Sequence, residues 1–256
     1  MANIKVIGNQ EHVECFLKRL VPLPQDDWVY PIWMVARKKY NIGNVGITRS
    51  EEMITRTFLH HNKYEEMIRR IRRFEVPEEC YIDRNTGDII PFTNYATYID
   101  LTPKSMARAL VGFSADVMNE IWEVTNDADR VRRLRNIDKL LFSKVHKTNA
   151  TRKPYKIVDV DDKSLYEKVR KLVQYYDIPI EWITETHGGY HILIPSGRHL
   201  ETFYKTFVPL AQNEFGDKVE ILNDPMTPIC GTYQGGFLTR PVDVDFWIGA
   251  KENKEN

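Results

Sequence analysis

Apolar residues in the second half of this chain fall into two alternating periods. Tyr155 to Val160 is an apolar run of strand length. Lys163 to Tyr176 repeats apolar residues at helical spacing, with Leu165, Val169, Leu172 and Val173 on one face. Ile178 to Thr184 and Tyr190 to Ile194 read as strands joined by a tight turn at His187-Gly188-Gly189. His199 to Phe215 returns to the helical period through Leu200, Phe203, Phe207 and Leu210, and Val219 to Leu222 closes the series as a strand. The order strand, helix, strand, strand, helix, strand is the split β-α-β order of a ferredoxin-like or RNA-recognition-type sheet.

The first half is less regular. Ser50 stands where it can cap a helix running through Met53, Ile54, Phe58, Tyr64, Met67, Ile68 and Ile71, which Val76-Pro77 ends. Asp83 to Gly87 is turn-rich. Tyr95 to Leu101 reads as a strand, and Thr102-Pro103 then opens a helix with Met106, Leu110, Phe113, Val117 and Ile121 on one face. Asp127 to Val145 reads as a further helix with its basic residues outward. The expected class is α/β (α+β). A mixed α/β subdomain over residues 1–90 precedes a core over 91–250 that contains the palm-like sheet, and residues 251–256 form a disordered tail.

Composition changes this picture little. In 256 residues, 42% are apolar and 28% charged, which suits a globular chain. No apolar run is long enough to span a bilayer, and Glu11 and Glu14 lie where a secretory signal needs an apolar stretch, so an intracellular protein without a membrane partner is expected. Cys15, Cys80 and Cys230 lie far apart, against a disulfide framework or a cysteine zinc knuckle. Net charge is zero, but its distribution is uneven. From Arg130 to Lys156, Asp138 is the single acid among Arg130, Arg132, Arg133, Arg135 and six further cations. Such a stretch suggests a polyanion-facing surface, against the plainer possibility of a solvated helix face.

Three short segments carry candidate chemistry. In Ile157-Val158-Asp159-Val160-Asp161-Asp162, strand alternation puts Asp159 and Asp161 on one face, about 6.5–7 Å apart. Two neighbouring carboxylates repel, and hard oxygen ligands of this kind suit Mg²⁺ or Mn²⁺. Asp162 fits a helix cap, which leaves Asp159 inside the apolar strand unexplained. In Thr184 to Ile192, Gly188 and Gly189 allow close backbone approach and can turn amides toward a phosphate, with His191 following on the strand. A simple hairpin turn and a half-buried histidine are the plain alternative. In Val219 to Pro225, Asp224 ends a strand that can lie beside the first and add a third acid, although Asp-Pro is most often a turn. A polar Gly-rich loop with Thr232 and Gln234 follows.

In this order and spacing the three segments resemble the archaeo-eukaryotic primase superfamily, including the primase-polymerases. Asp159-Val160-Asp161 is similar to the family's Asp-x-Asp strand, Gly189-Tyr190-His191 to its small-x-His motif, and Asp224 to its third acid. The stretch from Tyr95 to Ser105 is similar to the strand that leads into the family's Asn-Pro-Arg-like turn, with Lys104 where arginine is frequent. The nearest arginine after the third acid is Arg240, and the zinc knuckle of many replicative primases is absent.

The resemblance implies a primase-type fold, an N-terminal subdomain packed on an RNA-recognition-like palm with the active site between them. It implies template-dependent nucleotidyl transfer with two Mg²⁺ or Mn²⁺ ions on Asp159, Asp161 and Asp224. His191 and the Gly188-Gly189 amides would hold the incoming NTP or dNTP, with Thr232 and Gln234 near its sugar or phosphate. Arg130, Arg132, Arg133, Arg135 and Lys104 would meet a single-stranded DNA template. A helicase or other replication protein would act in trans. Two rivals stay open. A rolling-circle replication endonuclease would use Tyr175, Tyr176 or Tyr204, but usually shows two histidines flanking one apolar residue. A non-catalytic single-strand-binding palm would use Tyr190 and Tyr233 for stacking.

Overall fold

Strand-forming segments that lie far apart in sequence meet in two antiparallel sheets, so the architecture depends on long-range pairing. The structure is a computed structural model describing residues 3–23, 27–40, 49–60, 62–83, 86–124 and 137–242. In chain order, the first half contributes α1 (Gln10–Leu20), β1 (Trp28–Arg37), β2 (Glu51–Leu59), α2 (Tyr64–Arg72), β3 (Tyr95–Asp100), β4 (Lys104–Ser105), α3 (Met106–Val124) and α4 (Ile137–Lys147). The second half contributes β5 (Tyr155–Val160), α5 (Tyr166–Tyr175), β6 (Trp182–Glu185), β7 (Tyr190–Pro195) and a helical arm over 200–215 with a π-type turn at Phe203–Phe207. After the arm come β8 (Val219–Leu222), β9 (Met226–Pro228), β10 (Tyr233–Gln234), β11 (Phe237–Leu238) and β12 (Arg240–Pro241).

The first sheet is centred on β1, which is buried along nearly its whole length. It runs β11-β10-β3-β1-β2, with β4 also on β1 and β9 also on β3. Strands from both sides of residue 90 therefore share it. Pro31 falls between the part of β1 that pairs β4 and the part that pairs β3, where its missing N–H is tolerated. The β10–β11 turn uses Gly235 and Gly236, both at positive φ, as a two-residue hairpin requires.

The second sheet runs β12-β6-β7-β5-β8. Without the edge strand β12 this is the split βαβ arrangement, and β5 and β8 have the expected limits. One face buries Val158, Val160, Ile183 and Ile192 against α5 and the helical arm. The other sends Ile157, Trp182 and Leu193 into a core shared with α1, α2 and the first sheet. Phe16 of α1 meets the Trp182 ring edge-on at 5.8 Å, which ties the first half of the chain to the palm.

Several elements differ from expectation. One helix is expected over residues 50–71, yet β2 precedes a shorter α2. Ile54, Thr55 and Thr57 are β-branched and favour a strand, and a bulge in the β1–β2 register puts Met53 and Ile54 out of simple alternation, imitating helical spacing. The helix expected to open at Thr102-Pro103 starts at Met106, because Lys104 and Ser105 pair with β1 first. Its first turn is capped by Ser105 Oγ, which accepts the Arg108 amide at 3.2 Å, and by Asp27, which accepts the Ala107 amide at 2.8 Å. Of its expected apolar face, Leu110 and Ile121 are exposed, and Ala109 makes the buried contact instead. Arg130, Arg132, Arg133, Arg135, the start of the helix expected from Asp127 and the tail 251–256 lie outside the described residues.

Lys104, expected to meet template phosphates, is buried. Its ammonium pairs with Asp100 Oδ2 at 2.8 Å and donates to Asn149 Oδ1 at 2.7 Å. Both members of the ion pair are almost without solvent, so Lys104 serves the interior. Among the described residues no helix is long and apolar enough to cross a membrane. Removing one member of a buried pair strands the other charge, so Lys104→Met should lower unfolding free energy by about 3–5 kcal/mol, read by urea denaturation. A change below about 1 kcal/mol would mean that Asp100 is satisfied without Lys104.

Candidate active site between the two sheets

Asp159 lies on the middle strand of the palm trio β7-β5-β8. The antiparallel register puts His191 directly opposite it on β7 and Glu220 directly opposite it on β8. Opposed residues share a face, so His191, Asp159 and Glu220 form a row across three strands. Ile157 and Leu193, one step along the same face, are already in the shared core. The row begins where that apolar contact ends, and a cavity of about 300 Å³ opens there. Asp159, Asp161, Gly188, His191 and Glu220 line it from the palm. Trp33, Arg37, Lys39, Tyr40, Tyr98 and Gln234 line it from the other half of the molecule.

The centre of the site is a hydrogen-bonded chain. His191 Nε2 lies 3.2 Å from Asp159 Oδ1, and His191 Nδ1 lies 3.1 Å from Thr227 Oγ1. Burial pushes the Asp159 carboxyl up, but His191 by charge and hydrogen bond, with Lys39 and Arg37, outweighs burial and holds it below its usual value. Asp161 lies just past the end of β5, exposed at the cavity rim. The facing wall is cationic and aromatic. Arg37 pairs with Glu51 at 2.8 Å and donates to the Tyr98 hydroxyl at 2.8 Å. Burial pushes that phenol well above its ordinary value. Gln234 joins the walls, since its Nε2 donates to Tyr98 Oη at 3.3 Å and its Oε1 accepts the His187 amide at 2.8 Å.

The two glycines have different surroundings. A Cβ on Gly189 would run into the Val160 carbonyl, so the close approach foreseen for a ligand is made by the chain itself. The Gly189 amide already donates to Thr186 Oγ1 at 3.1 Å and is not offered to a phosphate. Gly188 is exposed and lines the cavity.

Of the expected site residues, Asp159, Asp161, Gly188, His191 and Gln234 come together around the cavity. Asp224 does not line it. It stands two residues beyond β8 on the turn into β9, bonded to Lys153, which holds its carboxyl below the usual range. Thr232 is fully buried, and its hydroxyl donates to the Ile229 carbonyl at 2.6 Å, bracing the loop. Arg240 pairs with Glu185 at 2.5 Å, on the edge strand β12. The expectation missed Trp33, Arg37, Lys39, Tyr98 and Glu220. For Trp33, Arg37 and Lys39 the signal was present: alternation puts Trp33 and Arg37 on one face of an apolar run, and three cations, Arg37-Lys38-Lys39, end it.

The tyrosines of the rival readings lie elsewhere. Tyr175 and Tyr176 end α5, and Tyr204 is on the helical arm, bonded to Asn223 at 2.7 Å. Tyr190 stacks on Tyr166 at 4.2 Å, and Tyr233 packs edge-on to Phe92 at 5.3 Å. Among the described residues no three His, Cys, Asp or Glu side chains converge to hold a metal by themselves. The donor set still fits Mg²⁺ or Mn²⁺, because a hard cation of that kind commonly takes one or two carboxylates and completes its shell with substrate oxygens and water.

The Asp159 shift has a pH consequence. A carboxyl depressed on folding stabilises the native state above its unfolded value, near 3.8, and loses that contribution as pH falls through the lower folded value. The stability difference between the parent and Asp159→Asn should therefore be full above about pH 5 and shrink below it, as followed by thermal melting across pH. Gly189→Ala should cost at least about 1–3 kcal/mol, since backbone must move, and a melting temperature equal to the parent's would refute the close approach. No family model matches this chain, and comparison with curated proteins and with solved structures finds no match.

Proposed function

We propose that this protein is a template-dependent nucleotidyltransferase, a primase or primase-polymerase that synthesises or extends nucleic-acid primers from NTPs or dNTPs on a single-stranded DNA template. The observation that carries the proposal is the composition of the cavity. Carboxylates line the palm wall, and the facing one presents Lys39 together with Arg37, which is paired with Glu51. A nucleoside triphosphate with a divalent cation needs both signs of charge at one place. A primase-type fold is part of the same proposal, supported by the split βαβ palm packed on a second sheet with the cavity between them.

Asp159 and Asp161 would hold Mg²⁺ or Mn²⁺, whose chemistry when bound is to activate the attacking hydroxyl and neutralise the leaving pyrophosphate, with Glu220 opposite Asp159 placed to accept from the ion's water. Glu220 takes the place expected for Asp224, because it is in the row across the sheet. Arg37 and Lys39 neutralise phosphate charge from the opposite wall and replace the arginine expected after the third acid. Trp33 and Tyr98 offer flat apolar surface suited to a base or sugar. His191 keeps Asp159 ionised and aligned. Both its nitrogens are engaged within the protein, so its part is orientation of the acid before contact with a phosphate.

The test is primer extension and unprimed synthesis on single-stranded template with Mg²⁺ and Mn²⁺. Asp159→Ala and Asp161→Ala should abolish product. Glu220→Gln should lose most of it, and Asp224→Asn should stay within a few-fold of the parent. Arg37→Ala should raise the KM for nucleotide. If the parent makes no product with either metal, or if the aspartate variants are as active as the parent, the proposal is wrong.

A further inference from the structure

We infer that Thr227 is the positioning residue of His191, holding the imidazole aimed at Asp159. Thr227 lies on β9, and its backbone belongs to the first sheet, opposite Ile99 of β3. Its side chain reaches across to the palm, where Oγ1 meets His191 Nδ1 at 3.1 Å. The residue is fully buried, away from bulk solvent. The ring is thus held at two points by two sheets, with Asp159 on one nitrogen and Thr227 on the other.

The chemistry of the three groups sets the proton's place. An ionised carboxylate only accepts, so the nitrogen facing Asp159 must be N–H. In the neutral ring the other nitrogen then has a lone pair, and the Thr227 hydroxyl donates to it. When the ring is an imidazolium, the hydroxyl turns over, accepting from Nδ1–H and directing its own hydrogen to the Pro228 carbonyl, 3.5 Å away. A hydroxyl serves either state. Valine has the same shape and serves neither, while serine keeps the donor and acceptor. Burial also excludes a nucleophilic role for Thr227, because no substrate atom reaches a side chain without exposure.

The consequence for nucleotide addition rests on the nucleotidyltransferase reading, whereas the tautomer does not. The experiment is long-range nitrogen-15 NMR on protein labelled at histidine, with the His191 signals assigned by their loss in His191→Gln. The parent should carry a proton on His191 Nε2. Thr227→Val should keep the proton on Nε2, which Asp159 fixes, but should broaden the His191 ring signals as the imidazole loses its second anchor, and Thr227→Ser should keep the parent's line widths. In primer extension, Thr227→Val should lower kcat by about 10–100-fold with KM little changed, and Thr227→Ser should restore it. A parent protonated at Nδ1, or a folded Thr227→Val with the parent's line widths and rate, overturns the inference. If Thr227→Val fails to fold, the parent's tautomer and the Thr227→Ser rate decide. Should the parent make no nucleic acid at all, NMR still decides the role of Thr227, and the nucleotidyltransferase reading falls alone.

Discussion

A carboxylate in the middle of a sheet is the constraint on which the rest of this molecule depends. Asp159 follows Ile157 and Val158 on a strand that is hydrogen-bonded on both sides. Left dry and alone, it would cost several kcal/mol or take up a proton. The fold answers this with His191 on the neighbouring strand, Thr227 behind the ring and a solvent-reaching cavity in front. The apolar contact through Ile157, Trp182 and Leu193 then fixes how far the first sheet stands from that carboxylate. The cavity is what remains where the apolar residues of the palm give way to charged ones.

The two sheets divide the work. The palm supplies acids on strands whose spacing is set by backbone hydrogen bonds, which makes their geometry stiff. The first sheet supplies Arg37, Lys39, Trp33 and Tyr98. Neither wall reads as a site alone. Strands β9 to β11 bind the two halves, because the chain leaves the palm after β8 and returns to the first sheet, carrying Thr227 and Gln234 with it. Both side chains then reach back to the palm, one to His191 and one to the His187 amide. The same return explains why Asp224 stands apart, since it lies where the chain has already turned away from the row.

Legibility in the sequence followed the strength of local pattern. Strands β5 and β8 are visible with their limits because their flanking turns and helices change period sharply. The β2 segment misleads because a bulge breaks its alternation, and the β-branched residues that favour a strand are outweighed by apolar spacing close to helical. Lys104 misleads for another reason. A lysine after a proline reads as exposed, and only the fold shows Asp100 and Asn149 waiting for it in the interior. Thr232 and Gln234 look equivalent in a polar loop, yet one braces that loop and the other spans the cavity.

The chain by itself determined the split βαβ order, the placement of Asp159 on a strand with Asp161 just past its end, and the association of His191 with a glycine turn. These follow from interactions within a few residues, where side-chain period and backbone freedom act directly. Only the tertiary structure decided that Glu220 rather than Asp224 stands beside Asp159, that Arg37 and Lys39 face the acids, and that Thr227 holds the histidine. Each of these is a contact across paired strands or between sheets. Its register is chosen by the burial of the whole apolar set, and no local pattern contains that sum.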